Sequence, residues 1–117
     1  MRVLITSISA YGHLQPLLPL ALALVHAGHE VAIATGPDMC RRAAAAGFTT
    51  FNAGIAADVA FARLAGRYPD QEYNRLAPSE ILDWYLPHLF GEVIAPLMLD
   101  DLEPLVRTWQ PDVILHD

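Results

Sequence analysis

Residues 3–16 have the sequence VLITSISAYGHLQP, and this stretch decides the fold. It begins as a run of β-formers, passes through a small polar turn containing Gly12, and enters a long apolar segment with Pro16 near its start. This pattern predicts a buried strand, a tight loop and a helix. His13 lies where the loop meets the helix, at the sheet edge where open α/β proteins bind ligands.

Three further strand signals follow the first at intervals typical of βαβ units. The four strands are predicted at residues 3–6, 31–35, 48–51 and 113–116. Because parallel crossovers are right-handed, they form a parallel sheet with the order 3-2-1-4 and a switch point between strands 1 and 4. The predicted fold class is therefore α/β, a Rossmann-like parallel sheet flanked by helices.

Helices are predicted between these strands. The first starts near residues 14–16, with Pro16 in its first turn, and the apolar residues of 17–25 should bury most of its surface before Gly28 ends it. The second covers 39–46, with Asp38 as its N-cap and Gly47 at its end. Two more helical segments are predicted, over residues 57–64 and, interrupted by prolines, over residues 78–109.

This topology brings two distant polar residues together. His13 follows strand 1 and Asp117 follows strand 4, and adjacent parallel strands are about 4.8 Å apart. A carboxylate that holds one imidazole nitrogen as a donor leaves the other free to accept a proton, which suits a general base acting on a hydroxyl. The alternative is that His13 bonds to the loop backbone and Asp117 caps a following helix.

Composition limits the function classes. The seven basic residues are all Arg and are scattered, and the formal net charge is −6, which argues against nucleic-acid binding. The single cysteine, Cys40, excludes an internal disulfide and is typical of a reducing compartment. The apolar run at 17–25 is too short to span a bilayer, so a cytoplasmic protein is predicted.

The first loop lacks two common nucleotide-binding motifs. It contains no G-x-G-x-x-G pattern and no P-loop. A metal site from His13, His116 and Asp117 has no recognisable ligand spacing, so no metal is predicted.

An aromatic-rich excursion lies between strands 3 and 4. It contains Phe61, Tyr68, Tyr73, Trp84, Tyr85 and Phe90. These side chains either shape a pocket for an apolar acceptor or simply pack helices onto the sheet. If they shape a pocket, residues 55–90 should be less ordered than the sheet when no acceptor is bound.

The sequence GHLQPLLPL at residues 12–20 resembles the N-terminal half of GT-B glycosyltransferases of the GT1 group, which attach sugars to antibiotics and other natural products. AGHEV at 27–31, AAGF at 45–48 and WQPDVILHD at 109–117 agree with it. The resemblance implies that His13 is the catalytic base and that Asp117 orients it. It also implies an inverting transfer from a nucleotide-diphosphate sugar to an acceptor hydroxyl, with no metal or other cofactor.

The resemblance further implies that the N-terminal half binds the acceptor. The residues expected to contact it are Tyr11, Gly12, Phe61, Trp84 and Tyr85. Because the family has two Rossmann-like domains, residues 1–117 are expected to be a partial acceptor-binding domain. The expected partners are the donor-binding C-terminal domain of the same enzyme, a small-molecule acceptor and a nucleotide sugar, with homodimerisation possible.

As part of such an enzyme, the chain should be inactive by itself. Two other interpretations stay open. The first is a truncated homologue that acts as an accessory module for a partner transferase. A flavodoxin-like nucleotide-binding domain that uses the first loop is the remaining alternative.

Overall fold

Four parallel strands form the central sheet of the computed structural model. They are β1 (Arg2–Thr6), β2 (Glu30–Thr35), β3 (Thr49–Asn52) and β4 (Val113–His116). Their order across the sheet is β3-β2-β1-β4, which confirms the predicted topology. The strand ends agree with prediction to within one residue. The structure describes the backbone of residues 1–117 and every side chain except that of Tyr73.

Six α-helices flank or extend this sheet. They are α1 (Tyr11–Leu14), α2 (Leu17–His26), α3 (Pro37–Ala45), α4 (Ala57–Arg67), α5 (Pro78–Tyr85) and α6 (Ala95–Trp109). A short 3₁₀ turn covers Tyr73–Arg75, and the π-helical segment Leu86–Ile94 joins α5 to α6.

The sheet is covered on both faces, so β1 and β2 are buried at every position after their first residue, and their central residues are apolar. Val3, Ile5 and Ile33 pack with α1, α2 and α3 on one face. Leu4 and Ala32 pack with α6 on the other. This three-layer arrangement leaves the carboxyl ends of the strands open for a site.

The first helix differs from prediction in its start. A single turn, α1, begins at Tyr11, and α2 begins only at Leu17, with Pro16 as its N-cap residue rather than inside its first turn. Neither Pro16 nor Pro19 has a backbone N–H to donate to the preceding turn, so a continuous helix from residue 11 would lack two hydrogen bonds. The break places His13 on its own short turn.

The predicted deep burial of α2 is wrong. Leu20, Leu22 and Val25 are 46%, 48% and 42% exposed, whereas Ala21 is fully buried. A helix lying on a sheet buries the stripe that faces the strands, and this sequence is apolar all round. The outer face of α2 is therefore an apolar surface.

The N-cap of α3 is also different from the prediction. Gly36 occupies the N-cap, Pro37 takes the first helical position and Asp38 lies in the first turn. Proline suits that first position because the N–H that it lacks would be unpaired there anyway. The Asp38 carboxylate accepts a hydrogen bond from the Ser9 hydroxyl instead of capping the helix.

The excursion between β3 and β4 builds a small core of its own. Ala60 and Leu64 of α4 pack against Leu89 and Val93 of the π-helical segment, all of them buried. The radius of gyration is 15.7 Å, against about 13 Å for a compact chain of this length. The excursion thus extends beside the sheet, at the end where the strands terminate.

The outer edge of the sheet is open at β4. Val113 and Ile114 are exposed, and an apolar groove of about 420 Å³ runs between β4 and α6. Among the described residues, no helix is long and apolar enough to cross a membrane.

A close approach at Gly36 provides a test of the loop packing. A Cβ atom there would lie 2.5 Å from Ser9 Cβ and 2.6 Å from the Ile55 carbonyl oxygen. Gly36→Ala should therefore destabilise the protein by about 1–3 kcal/mol, because backbone must move to make room. Urea unfolding measures this free energy.

The matched control is Gly12→Ala, since a Cβ at Gly12 meets no atom within 4 Å. This control should change the free energy of unfolding by less than about 1 kcal/mol. Equal effects of the two substitutions would contradict the proposed steric role of Gly36.

Candidate active site

The loop between β1 and α1 is held by the neighbouring strand β2. The Ser7 backbone N–H donates to the Ala34 carbonyl at 3.1 Å, and the Thr35 hydroxyl donates to the Ile8 carbonyl at 3.2 Å. At the other end, the buried Leu14 side chain anchors α1 in the core. His13, one residue before this anchor, is therefore carried by a fixed turn.

His13 and Asp117 are hydrogen-bonded to each other. His13 Nδ1 lies 2.5 Å from Asp117 Oδ2, across 104 positions of sequence. Parallel pairing of β1 with β4 sets Thr6 opposite His116, so Asp117, the residue after β4, lies beside the first loop. The predicted proximity of His13 and Asp117 is confirmed, and their catalytic roles stay predictions.

The pair is accessible from solvent without being fully exposed. The side chain of His13 is 47% exposed and that of Asp117 is 22% exposed. With Nδ1 taken by the carboxylate, Nε2 is the imidazole nitrogen left for a proton. This arrangement suits proton abstraction from a bound hydroxyl group.

An apolar cavity adjoins His13. Its volume is about 130 Å³. The first loop supplies part of its wall, and the excursion supplies the rest. Besides His13, its lining residues are Ile8, Ser9, Ala10, Ile55, Ala57, Ala60, Phe61, Leu89, Phe90 and Ile94. The candidate base thus stands at the edge of a largely hydrocarbon pocket.

The chain has clear relatives among curated proteins, although no family model matches it. It is 34% identical to the 10-deoxymethynolide desosaminyltransferase of Streptomyces venezuelae and 32% identical to the tylactone mycaminosyltransferase of Streptomyces fradiae. All of the chain aligns in both cases, over 31% and 29% of the relatives' lengths. This chain is a homologue of antibiotic glycosyltransferases. It spans less than one third of those relatives.

Solved structures support the same relationship. The glycosyltransferase VinC, in complex with DTDP, is 32% identical to the chain, with a TM-score of 0.71, over 100% of the chain and 29% of VinC. The glycosyltransferase SsfS6 of Streptomyces sp. SF2575 is 25% identical with a TM-score of 0.79, over 99% of the chain and 33% of SsfS6. The predicted fold class is confirmed: this glycosyltransferase homologue has part of a GT-B architecture.

Of the five residues predicted to contact an acceptor, Phe61 lines the cavity of this glycosyltransferase homologue. Tyr11 turns the other way, and the Arg42 guanidinium lies 5.3 Å from its ring centroid. Gly12 does not line the cavity either. The loop backbone turns into α1 at this point, which points Tyr11 to the side of α3.

Trp84 and Tyr85 lie one layer behind the cavity wall. The Tyr85 ring contacts Phe61 edge-on at 5.9 Å between centroids, and the Trp84 ring contacts Tyr68 at 5.4 Å. The wall itself is built by residues that the sequence did not single out for this purpose, Leu89 and Ile94 among them. Their spacing does not follow an α-helical period, because the segment that carries them is π-helical.

The remaining histidines lie away from the cavity. His116 lines the groove beside α6, on the opposite side of β4 from Asp117. His26 is in the last turn of α2, and His29 Nδ1 is 3.5 Å from the N-terminal nitrogen. Among the side chains that the structure describes, no group of three His, Cys, Asp or Glu residues is placed to hold a metal ion.

His88 belongs to a polar cluster behind the cavity. Tyr68 donates its hydroxyl to Glu92 Oε2 at 2.6 Å, and His88 Nδ1 lies 2.8 Å from Glu92 Oε1. The hydrogen bond to Glu92 raises the pKa of Tyr68. Hydrogen bonds from Tyr68 and His88 lower the pKa of Glu92.

The signs of these shifts define a pH window for the cluster. The lowered pKa of Glu92 stabilises the fold above the ordinary carboxyl pKa, and this contribution is lost as pH falls through the lowered value. The raised pKa of Tyr68 stabilises the fold below the ordinary phenol pKa, and this is lost as pH rises through the raised value. The cluster is therefore intact at neutral pH.

Proposed function

We propose that this chain is the acceptor-binding N-terminal part of a longer inverting glycosyltransferase that acts on a hydroxyl of a small, apolar natural product. The observation that carries the proposal is the hydrogen bond between His13 and Asp117 at the edge of the apolar cavity. A general base must lie within hydrogen-bonding distance of the proton that it removes. An apolar acceptor bound in the cavity would place its hydroxyl group next to the His13 imidazole.

In the proposed reaction, the acceptor hydroxyl loses its proton to His13 Nε2 while its oxygen attacks the anomeric carbon of the sugar. The bond from that carbon to the diphosphate breaks, and the leaving group takes the electron pair. Asp117 accepts a hydrogen bond from Nδ1–H and stabilises the imidazolium that forms. A single displacement of this kind inverts the configuration at the anomeric carbon.

The donor is proposed to be a thymidine diphosphate sugar, held mostly by a second domain. Support comes from the solved relatives: VinC is in complex with DTDP, and a structure of the spinosyn rhamnosyltransferase SpnG is in complex with thymidine diphosphate. The cavity beside His13 is largely apolar, and its lining residues include no Arg or Lys to pair with a diphosphate, which favours the acceptor over the donor as its ligand.

The direct test is transfer by the complete protein. Incubation with thymidine diphosphate glucose and 2-naphthol, a compact apolar alcohol, should yield a naphthyl glucoside with inverted anomeric configuration, detected by mass spectrometry and NMR. Release of free glucose without glycoside, for 2-naphthol and for larger hydroxylated polyketides alike, would contradict the proposal.

Filling the cavity should block acceptor binding. Ala57 lines the cavity from the start of α4, and Ala57→Phe should weaken binding of 2-naphthol by about tenfold or more, because the new ring occupies the acceptor's place. Titration followed by tryptophan fluorescence measures the dissociation constant.

Val59→Phe is the matched control on the same helix. Val59 is 41% exposed and lies about 200° around the helix from Ala57, so its side chain points away from the cavity. This control should leave the dissociation constant within about twofold of wild type. Equal losses in both variants would indicate that the cavity is not the binding site.

A further inference from the structure

The π-helical segment Leu86–Ile94 has two faces with different chemistry. Leu89, Phe90 and Ile94 line the cavity beside His13. His88 and Glu92 lie on the other face, where the His88 imidazole is hydrogen-bonded to the Glu92 carboxylate. The segment therefore connects the acceptor cavity to the polar cluster behind it.

The π-helical geometry gathers the cavity-lining side chains together. A π-helix advances by only about 82° per residue, against about 100° in an α-helix. At that advance, positions 89, 90 and 94 fall within a sector of about 80°, whereas an α-helix would spread them over about 140°. Three apolar side chains thus face one cavity because the segment is π-helical.

The end of α4 holds this segment at Glu92 by both backbone and side chain. Pro96 lacks the N–H that would bond to the Glu92 carbonyl in an α-helix. Arg67 Nη1 donates to that carbonyl at 3.3 Å instead, and Tyr68 donates to the Glu92 carboxylate. Arg67 and Tyr68, which are adjacent in the chain, therefore both donate hydrogen bonds to Glu92 of the π-helical segment.

The same helix, α4, forms the facing wall of the cavity through Ala57, Ala60 and Phe61. The hydrogen bonds from Arg67 and Tyr68 to Glu92 consequently fix the distance between the cavity wall formed by α4 and the wall formed by the π-helical segment. The aromatic rings of Tyr68 and Trp84 enclose the His88 ring, with centroids 4.8 Å and 4.7 Å away. This packing holds the carboxylate and the imidazole in place.

We propose that the hydrogen bonds joining Tyr68, His88 and Glu92 determine acceptor specificity, because they hold segment 86–94 in its π-helical register and so set the shape of the cavity. This inference rests on the proposed function, which identifies the ligand of the cavity as an acceptor. The three residues are positioning residues: they touch neither the acceptor nor the reacting atoms, and they act through Leu89, Phe90 and Ile94.

The test compares acceptor binding with turnover in the complete protein. Glu92→Ala and Tyr68→Phe should each raise the KM for 2-naphthol by about tenfold while kcat falls by less than about threefold. The preference for 2-naphthol over phenol should shrink, since a loosened wall discriminates less by size. The pH dependence of kcat should match that of wild type, because His13 and Asp117 are unchanged.

Two further variants separate positioning from general stability. Glu92→Gln keeps an oxygen that accepts from Tyr68 and should restore most of the wild-type KM. Glu103→Ala removes a more exposed carboxylate, which pairs with Arg107 on α6, and should leave KM and selectivity unchanged. Tyr68→Phe, the milder change, carries the test if Glu92→Ala does not fold.

The possible outcomes are distinguishable. An unchanged KM and selectivity in Tyr68→Phe, or a KM equally raised in Glu103→Ala, would overturn the proposal. If wild type transfers no sugar to any acceptor, the proposed function fails, and the dissociation constant of 2-naphthol then decides the inference by the same comparison. Weaker binding in Tyr68→Phe and recovery in Glu92→Gln would support it.

Discussion

Replacing His13 with alanine should reduce kcat of the complete transferase by about 10²- to 10⁴-fold, the usual loss when a positioned general base is removed. His13 is hydrogen-bonded to Asp117 and lines the cavity, so its loss leaves the acceptor hydroxyl without a proton acceptor. Donor affinity should be nearly unchanged, since the proposed donor contacts come mostly from another domain. Steady-state kinetics measure kcat, and titration with thymidine diphosphate measures donor affinity.

The control for this substitution is His26→Ala. His26 is in the last turn of α2 and exposed, away from the cavity. Its replacement should leave kcat near the wild-type value. A near-normal kcat in His13→Ala would show that His13 is structural and that the assigned site is wrong.

Asp117→Asn should produce the second-largest effect, a loss of kcat of about 10- to 10³-fold, because an amide preserves shape and removes charge. The amide can donate to His13 Nδ1, which would leave the proton on Nε2 and the imidazole in the wrong tautomer. It also no longer stabilises the imidazolium formed during transfer. The loss should be smaller than that in His13→Ala, since the base is still present.

The free energy of unfolding distinguishes this effect from a loss of folding. Asp117→Asn should change it by less than about 1 kcal/mol, because the pair of His13 and Asp117 is partly exposed, and urea unfolding measures it. Asp100→Asn, an exposed change on α6, should leave kcat near the wild-type value. A normal kcat in Asp117→Asn would contradict the assigned role of Asp117.

The sequence alone determined the sheet and the main pair of the candidate site. Apolar runs marked the strands because β1 and β2 are buried on both faces, and the handedness of parallel crossovers favoured one order. Once β4 pairs with β1, the residues that follow the two strands must meet at one edge. The meeting of His13 and Asp117 is therefore a consequence of topology, which is why strand patterns sufficed to predict it.

Only the tertiary structure decided the cavity and the exposed surfaces. The sequence pattern could not show that Tyr11 turns toward Arg42, or that one side of α2 stays uncovered, because both depend on which neighbours surround a helix. Phe61 and Phe90 were among the aromatic residues considered for a pocket, but Leu89 and Ile94 were missed for a related reason. They converge with Phe90 through π-helical geometry, which packing and the contacts of Glu92 stabilise and which no 3.6-residue period reveals.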